Sequence, residues 1–346
     1  MKVVVVGATG NVGTSVVRAL EADSDVTSIL GVARRMPGWR GGRTEWRRAD
    51  VVTDDLTRIF DGADAVVHLA WLFQPARDAT VTWRANVLGS MRVFRAVAET
   101  GVPALVHASS VGAYSPGPKD RAVDESWPTH GWPGAAYGRE KAYVERVLDV
   151  FEHDHPGIRV VRMRPGFIFK REAATEQRRL FAGPLVPRRL IRPGRVPFVP
   201  DIPGLRLQAL HADDAGEAYR LAVTRPVSGA FNLAADPVLD PGELARLLGA
   251  RTVPVSAWMA RSAVAAGWHL RLLPTAPGLL ELALQIPVMN VGRARDVLGW
   301  TPRHTAGEAV RELVEGLHDG AGLDTPPLAR RGEPAAEIAA GAGVWP

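Results

Sequence analysis

Tyr137 and Lys141, four residues apart in the run AAYGREKAYVE, are the pair in this chain best suited to chemistry. Within a helix that spacing sets both side chains on one face. An ammonium beside a phenol favours the phenolate, so Lys141 is expected to lower the Tyr137 pKa toward neutrality. A tyrosine tuned in this way can give a proton to a developing alkoxide or take one from an alcohol. Upstream, Ser109 and Ser110 follow the apolar run PALVHA. A hydroxyl at a strand end can hydrogen-bond a carbonyl oxygen and polarise it. Singly, each feature is ordinary, because a Tyr and a Lys one turn apart are common and paired serines often belong to turns.

The first thirteen residues suggest what such a pair would work with. The β-branched run Val3 to Val6 ends in Gly7, then Gly10 and Gly13 follow at three-residue intervals. A helical pattern starts directly after them with Val16, Val17 and Leu20. Strand, tight turn and helix in that order put free backbone N–H groups and the positive end of a helix dipole at one point, which suits a pyrophosphate. Gly7 would permit the sharp turn, Gly10 the approach of phosphates, and Gly13 the close packing of helix on strand.

The elements that must hold these residues alternate through the first half of the chain. Strands are expected near Val26–Ala33, Thr44–Ala49, Ala63–Ala70, Pro103–Ser109 and Ile158–Met163, with long helices near Thr80–Thr100 and Ala135–His153. This order predicts an α/β fold, a Rossmann-type doubly wound parallel sheet with a smaller, mostly helical C-terminal lobe. Residues 1–165 would form the dinucleotide-binding domain, with segments at about 205–235 returning to it. In that stretch Leu205–His211 and Ala230–Ala235 read as strands rejoining the main sheet. Residues 166–204 and 236–318 would form the substrate lobe, and the Gly-, Ala- and Pro-rich residues 319–346 a weakly packed tail.

Composition narrows the classes. The 346 residues include no cysteine, which excludes disulfides, thiolate nucleophiles and Cys-ligated metal centres. No metal site is assigned. The net charge of +5 and a pI near 9.9 raise the question of nucleic acid. The best basic cluster, Arg188, Arg189, Arg192 and Arg195, lies among prolines without aromatic partners, so nucleic-acid binding is not expected. An anionic small ligand accounts for part of the excess. The apolar stretch Trp258–Met289 is interrupted by Arg261, His269, Arg271, Glu281 and three prolines, which argues against a membrane span. No secretory leader is visible, and a cytoplasmic location is expected.

Glycine turn, serine at the fifth strand end and Tyr-x-x-x-Lys on the next helix together resemble the extended short-chain dehydrogenase/reductases, the group of nucleotide-sugar epimerases, dehydratases and their reductase relatives. The resemblance covers about residues 1–318. GATGNVG is similar to the family's cofactor loop, with Gly7, Thr9, Gly10, Asn11, Val12 and Gly13 as expected contacts. Asp50 and Val51 resemble its adenine-contacting pair. His68, Leu69 and Ala70 resemble the fourth-strand end, with Leu69 and Ala70 against the cofactor. Asn86 in NVLGS resembles a helix asparagine that orders the helix or a relay water, or serves as a structural hydrogen bond. HASSVGAY, YGREK, RPG, HADDAGEA and LGWTP resemble five further landmarks. The resemblance implies Tyr137 as acid/base, Lys141 as its tuner and a ribose contact, Ser110 as the group orienting the substrate oxygen, and Pro165 as a further cofactor contact. It also implies a homodimer formed through the two long helices, to which the small residues Ala135, Ala136 and Ala142 are suited.

Two departures shape the functional expectation. Members preferring NAD carry an acidic residue at the end of the second strand. Here Ala33 stands there, followed by Arg34 and Arg35, which favours NADP(H) with NAD as the alternative. Nucleotide-sugar members carry an Asn after the sixth strand, where this chain has Phe167, and no diphosphate arginine is evident although Arg293 and Arg295 are near. Phe169, Phe181, Phe198, Trp258 and Trp268 could line a more apolar pocket. The expectation is an NADP(H)-dependent oxidoreductase interconverting a carbonyl and a secondary alcohol on a small non-nucleotide substrate. A sugar-nucleotide epimerase or dehydratase with retained NAD, and a nonenzymatic dinucleotide-binding redox sensor, stand as alternatives.

Overall fold

The structure, a computed structural model, describes residues 1–73, 77–182, 194 and 196–330. Its centre is one sheet of seven parallel strands. These are β1 (Lys2–Val6), β2 (Ser28–Ala33), β3 (Thr44–Arg48), β4 (Ala65–His68), β5 (Ala104–Ala108), β6 (Arg159–Pro165) and β7 (Gly229–Leu233). Across the sheet they run β7-β6-β5-β4-β1-β2-β3. The central strands are continuous apolar runs because both of their faces are covered. Val3 and Val5 face one cluster with Val16, Val17 and Leu20 of α1 (Asn11–Ala22). Val4 and Val6 face the other, with Val93 and Phe94 of α2 (Gly89–Thr100) and Val144 and Leu148 of α3 (Ala136–Asp154). The period of two along β1 thus divides the core into two layers.

The strand order reverses between β1 and β4. Their carboxyl ends therefore diverge and leave a crevice, the usual place for a ligand in such a sheet. Two more helices matter to the site. α4 (Ala212–Thr224) packs on the α1 face, and α5 (Ala306–Asp319) follows the lobe with a complete capping box at Thr305 and Glu308. Among the described residues no helix is long and apolar enough to cross a membrane.

Four expectations are corrected here. Only Ala209–His211 of the run Leu205–His211 is extended, and it pairs with Phe167–Phe169 in a separate two-stranded ladder. The outer edge of β6 is taken by β7, Gly229 against Val161 through Leu233 against Pro165, so the earlier segment finds that edge of the main sheet closed. The helix expected over Thr80–Thr100 is broken by a π-helical turn at Arg84–Leu88, between Ala79–Trp83 and α2. Ala135 and Ala142 are buried within their own chain and are closed to a partner. Finally, residues 320–330 do not pack weakly. Leu328 is fully buried, and Thr325 donates its hydroxyl to the Thr9 carbonyl at 2.9 Å. These two side chains fill one apolar and one polar gap beside the glycine turn. Residues 331–346 and the cluster Arg188, Arg189, Arg192 and Arg195 lie outside the described residues.

Candidate active site

β1 delivers the chain to Gly7, whose φ of +86° is the left-handed region that side chains resist. A Cβ there would sit 2.6 Å from the Ala70 backbone nitrogen, and one on Gly13 would sit 2.3 Å from the Gly7 oxygen. Glycine at both positions lets α1 and the β4 end close on the turn. A Cβ on Gly10 would meet nothing nearer than 3.7 Å, so that residue presents bare backbone toward open space. The first turn of α1 begins at this point, with Thr14 N donating to Gly10 O at 3.0 Å.

Two adjoining cavities open from this turn. A cleft of about 220 Å³ is lined by Gly7, Thr9, Gly10, Leu69, Ala70 and Asn86, and at its far end by Ala33, Arg34, Arg35, Asp50 and Val51. A chamber of about 620 Å³ is lined by Asn11, Val12, Gly13, Ser110, Tyr137, Lys141 and Pro165. Every residue singled out in the sequence as catalytic or cofactor-binding thus borders one of the two. The cleft, with its bare turn, helix N-terminus, apolar walls and two arginines beyond β2, fits an elongated dinucleotide. His68, by contrast, turns into the core, where Nε2 meets Ser90 Oγ at 2.9 Å and burial drops its pKa to about 3.

α3 carries Tyr137 and Lys141 into the chamber wall, and the β5 end brings Ser110. Ser110 Oγ accepts from Gly112 N at 3.0 Å and hydrogen-bonds Tyr137. The expected tuning of the tyrosine is not what this arrangement gives. Burial pushes the Tyr137 pKa up to about 12, against which the Ser110 hydrogen bond is a smaller pull. Lys141 donates to Ala108 O at 2.6 Å and lies 3.4 Å over the Trp71 ring, 5.9 Å from the Tyr137 ring. Burial brings its own pKa down to about 7, with Glu145 and Glu140 holding it up. The ammonium therefore faces an indole and a carbonyl rather than the phenol.

Asn86 sits in the π-helical turn, a feature that often marks functional sites. Its amide accepts from Leu72 N at 2.6 Å, donates to Leu72 O at 3.1 Å and donates to Glu140 Oε2 at 2.7 Å. Of the three roles open to it, the structure shows the structural hydrogen bond, tying the loop after β4 to α3. That loop brings Trp71 and Phe73 edge-on to Tyr137, with ring centres at 6.0 and 4.8 Å, and Phe73 meets Phe181 at 5.5 Å.

The lobe makes the chamber apolar. Phe167, Phe169, Phe181, Leu205, Leu279 and Ile286 line it. Phe198 and Trp258, expected there, are exposed instead, and Trp268 takes Arg77 over its ring at 4.3 Å. Arg293 turns away, donating to Ala230 O and Ser228 O. Sequence reasoning passed over Trp71, Phe73, Glu145, Glu176 and Arg179. The apolar run LAWLF after β4 was the available signal for the first two; the other three depend on contacts with distant segments.

One group outside the cavities, His211, His304 and Glu312, has potential ligand atoms within 4.8 Å of one another. His211 Nδ1 accepts from Asp213 N at 3.2 Å, which places the ring proton on Nε2, 3.1 Å from Glu312. The group is a hydrogen-bonded cap on α4.

The profile of the NAD dependent epimerase/dehydratase family matches residues 3–234, from the glycine turn through β7. The chain belongs to that family. An uncharacterized protein of Mycobacterium tuberculosis is 26% identical over 328 residues, 93% of this chain and 31% of that protein. The chain thus spans about a third of the length of that relative. The L-arabinose 1-dehydrogenase (NAD(P)(+)) of Haloferax volcanii is 29% identical over 188 residues, 51% of this chain and 70% of the relative. Among solved structures, the UDP-glucose 4-epimerase of Thermus thermophilus in complex with NAD aligns over 92% of this chain and 99% of that one, at 20% identity and a TM-score of 0.67. The family's sheet and glycine turn are those described above.

Lys141 yields a stability prediction. Its pKa in the fold, about 7, is below the ordinary 10.5. Between those values the unfolded chain holds a proton that the folded chain has lost, so stability rises with pH. Lys141→Met abolishes that rise. The thermal midpoint of the ligand-free variant minus that of the parent should fall steadily from about pH 7 to about pH 10; a flat difference would show that the ammonium is not desolvated.

Proposed function

We propose that the protein is an NADP(H)-dependent oxidoreductase that interconverts a carbonyl and a secondary alcohol on an apolar, non-nucleotide substrate. The observation that carries this reading is the chamber itself. Ser110 and Tyr137 stand in its wall, while Phe167 occupies the place of a diphosphate anchor and Arg293 is engaged elsewhere. A buried diphosphate without paired donors is costly. The similarity to a dehydrogenase that uses NAD(P)(+) agrees with the reading. The likeness to a UDP-glucose 4-epimerase supports the second reading, a sugar-nucleotide epimerase with retained NAD.

In this proposal Gly7, Thr9, Gly10, Asn11, Val12 and Gly13 hold the pyrophosphate, Asp50 and Val51 the adenine, and Arg34 and Arg35 the 2′-phosphate that Ala33 leaves room for. Leu69, Ala70 and Asn86 wall the cleft, Pro165 borders the chamber where the cofactor would meet the substrate, and Lys141 reaches the ribose once Trp71 gives way. The dinucleotide, when bound, supplies the hydride chemistry. Ser110 orients the substrate oxygen, and Tyr137 exchanges a proton with it. A phenol whose pKa is about 12 keeps its proton through the neutral range, so as arranged it is a donor, the role needed for carbonyl reduction. The family resemblance also supports a homodimer, though not through the alanines first considered. The Trp83 and Tyr143 rings meet at a tilt, 4.9 Å between centres, on the outer faces of the two helical segments, with Val81, Leu88 and Val150 also exposed.

Three measurements check these statements. Tyr137→Phe keeps the ring and removes the proton, so turnover should fall by about two to four orders of magnitude while dinucleotide binding persists; near-normal turnover discards the assignment. Calorimetry should show NADPH binding more tightly than NADH, and aromatic ketones more tightly than UDP or UDP-sugars. Tight binding of UDP alone would install the epimerase reading in its place. Light scattering should give twice the mass of one chain, and Tyr143→Glu should halve it; a monomeric parent disposes of the dimer.

A further inference from the structure

The cofactor cleft has a third guanidinium that comes from the lobe. Arg179, in the π-helical turn Arg178–Ala182, lines the cleft together with Gly7, Gly10, Arg34 and Arg35. It lies close enough to Arg35 for the repulsion of Arg34 and Arg179 to add to burial in lowering the Arg35 pKa. Like charges gathered at one cavity are unfavourable unless an anion offsets them. The Arg179 Nε is buried, and among the described residues it has no hydrogen-bond partner. The Glu176 carboxylate, on the same cleft wall, offsets part of this charge, yet it leaves the Nε donor without an acceptor; a buried donor in that state is costly, so its position suits an acceptor from outside the chain.

The C-terminal segment holds this arginine in place. Arg179 Nη2 donates to the Pro327 carbonyl, and Pro327 itself lines the cleft. Thr325 fixes the same segment to the glycine turn through Thr9 O, and Trp39 N donates to Asp324 O at 2.7 Å. On the lobe side Thr175 donates to Ala321 O at 2.7 Å, and Arg171 pairs with Asp319. Residues 319–328 thus form a strap from the lobe across to the turn, and its underside meets the cleft at Pro327.

We propose that Arg179 is a phosphate-binding residue of the dinucleotide cleft, contributed by the lobe and kept over the cleft by the strap at Thr325–Pro327. It rests on the reading of the cleft as a dinucleotide site. The ligand chemistry is a phosphate of the cofactor. The pyrophosphate, common to NADH and NADPH, and the 2′-phosphate, present in NADPH alone, are its two sources. With the strap seated, a bound dinucleotide leaves slowly, because Arg179 and Pro327 must both move.

Fluorescence titration of NADPH and NADH against the full chain, its Arg179→Gln variant and its Arg179→Lys variant tests this. Arg179→Gln should weaken binding by roughly ten- to a hundred-fold, the loss of one charge-assisted contact, and Arg179→Lys should restore part of it. An equal loss for both nucleotides assigns the pyrophosphate, and a loss for NADPH alone assigns the 2′-phosphate. Binding of both nucleotides unchanged within about twofold, with the thermal midpoint kept, overturns the proposal. Thr325→Val provides a second reading that leaves Arg179 intact. Its NADPH dissociation rate in stopped flow should rise at least several-fold, and an unchanged rate overturns the strap even if Arg179→Gln does not fold. If the parent binds neither nucleotide, the dinucleotide reading falls and this proposal with it; if the parent binds both and the variants match it, only Arg179 and the strap fall.

Discussion

The position of the candidate catalytic residues depends on one buried carboxylate. Glu145, two turns beyond Tyr137 on α3, accepts from Ser109 Oγ at 2.5 Å, from Arg164 Nε at 2.9 Å and Nη2 at 3.0 Å, and from Arg162 Nη1 at 2.9 Å. Burial would raise its pKa, but these donors and the two guanidiniums outweigh that and hold it at about 2. A buried charge is tolerated only with this degree of pairing, and removing one partner is strongly destabilising. The cluster fixes α3 against the end of β5 and against β6 together. Ser110 follows Ser109, and Lys141 lies one turn before Glu145, so the register of all three candidate residues is set by it. Arg164 continues the network to Tyr114 at 3.1 Å, and Tyr114 to Asn232 of β7 at 2.6 Å. The sheet edge and the chamber wall are therefore one hydrogen-bonded unit.

How much of this could be read beforehand follows the range of the forces involved. The glycine turn was legible because its constraints are local: Gly7 must adopt a positive φ, and Gly13 must admit a carbonyl six residues back. Parallel strands announced themselves through runs such as Val3–Val6, which need no distant information. Ser110, Tyr137 and Lys141 were legible as a set because their order matched a family layout. Their electrostatics were not, since the Lys141 environment is made by Trp71 from one loop and Glu145 from another turn. Leu205–His211 was misread because strand character says nothing of which ladder is vacant. Arg179 and Thr325 were invisible for the same reason: each is ordinary in its own neighbourhood and acquires a role only against residues far along the chain.

The site also shows a division of labour between the two lobes. The sheet domain supplies the polar elements, namely the turn, the serine, the tyrosine and the lysine, all set by backbone geometry and a buried ion network. The lobe supplies shape and apolar surface, through Phe167, Phe169, Phe181 and the helices behind them. Side-chain packing of that kind changes with few consequences for the sheet, whereas loss of one partner from the Glu145 cluster leaves a buried charge uncompensated. The apolar lining can thus vary on this scaffold while the candidate catalytic residues stay fixed.

The bond from Thr325 to Thr9 spans 316 residues of chain. During synthesis the glycine turn emerges about 300 residues ahead of the strap, and the strands beside it can pair long before the strap exists. The roof of the cleft is added only after residue 328 has emerged. A nascent chain therefore passes through a stage with an open crevice, and a ligand met at that stage is enclosed when the strap docks rather than admitted through a finished wall.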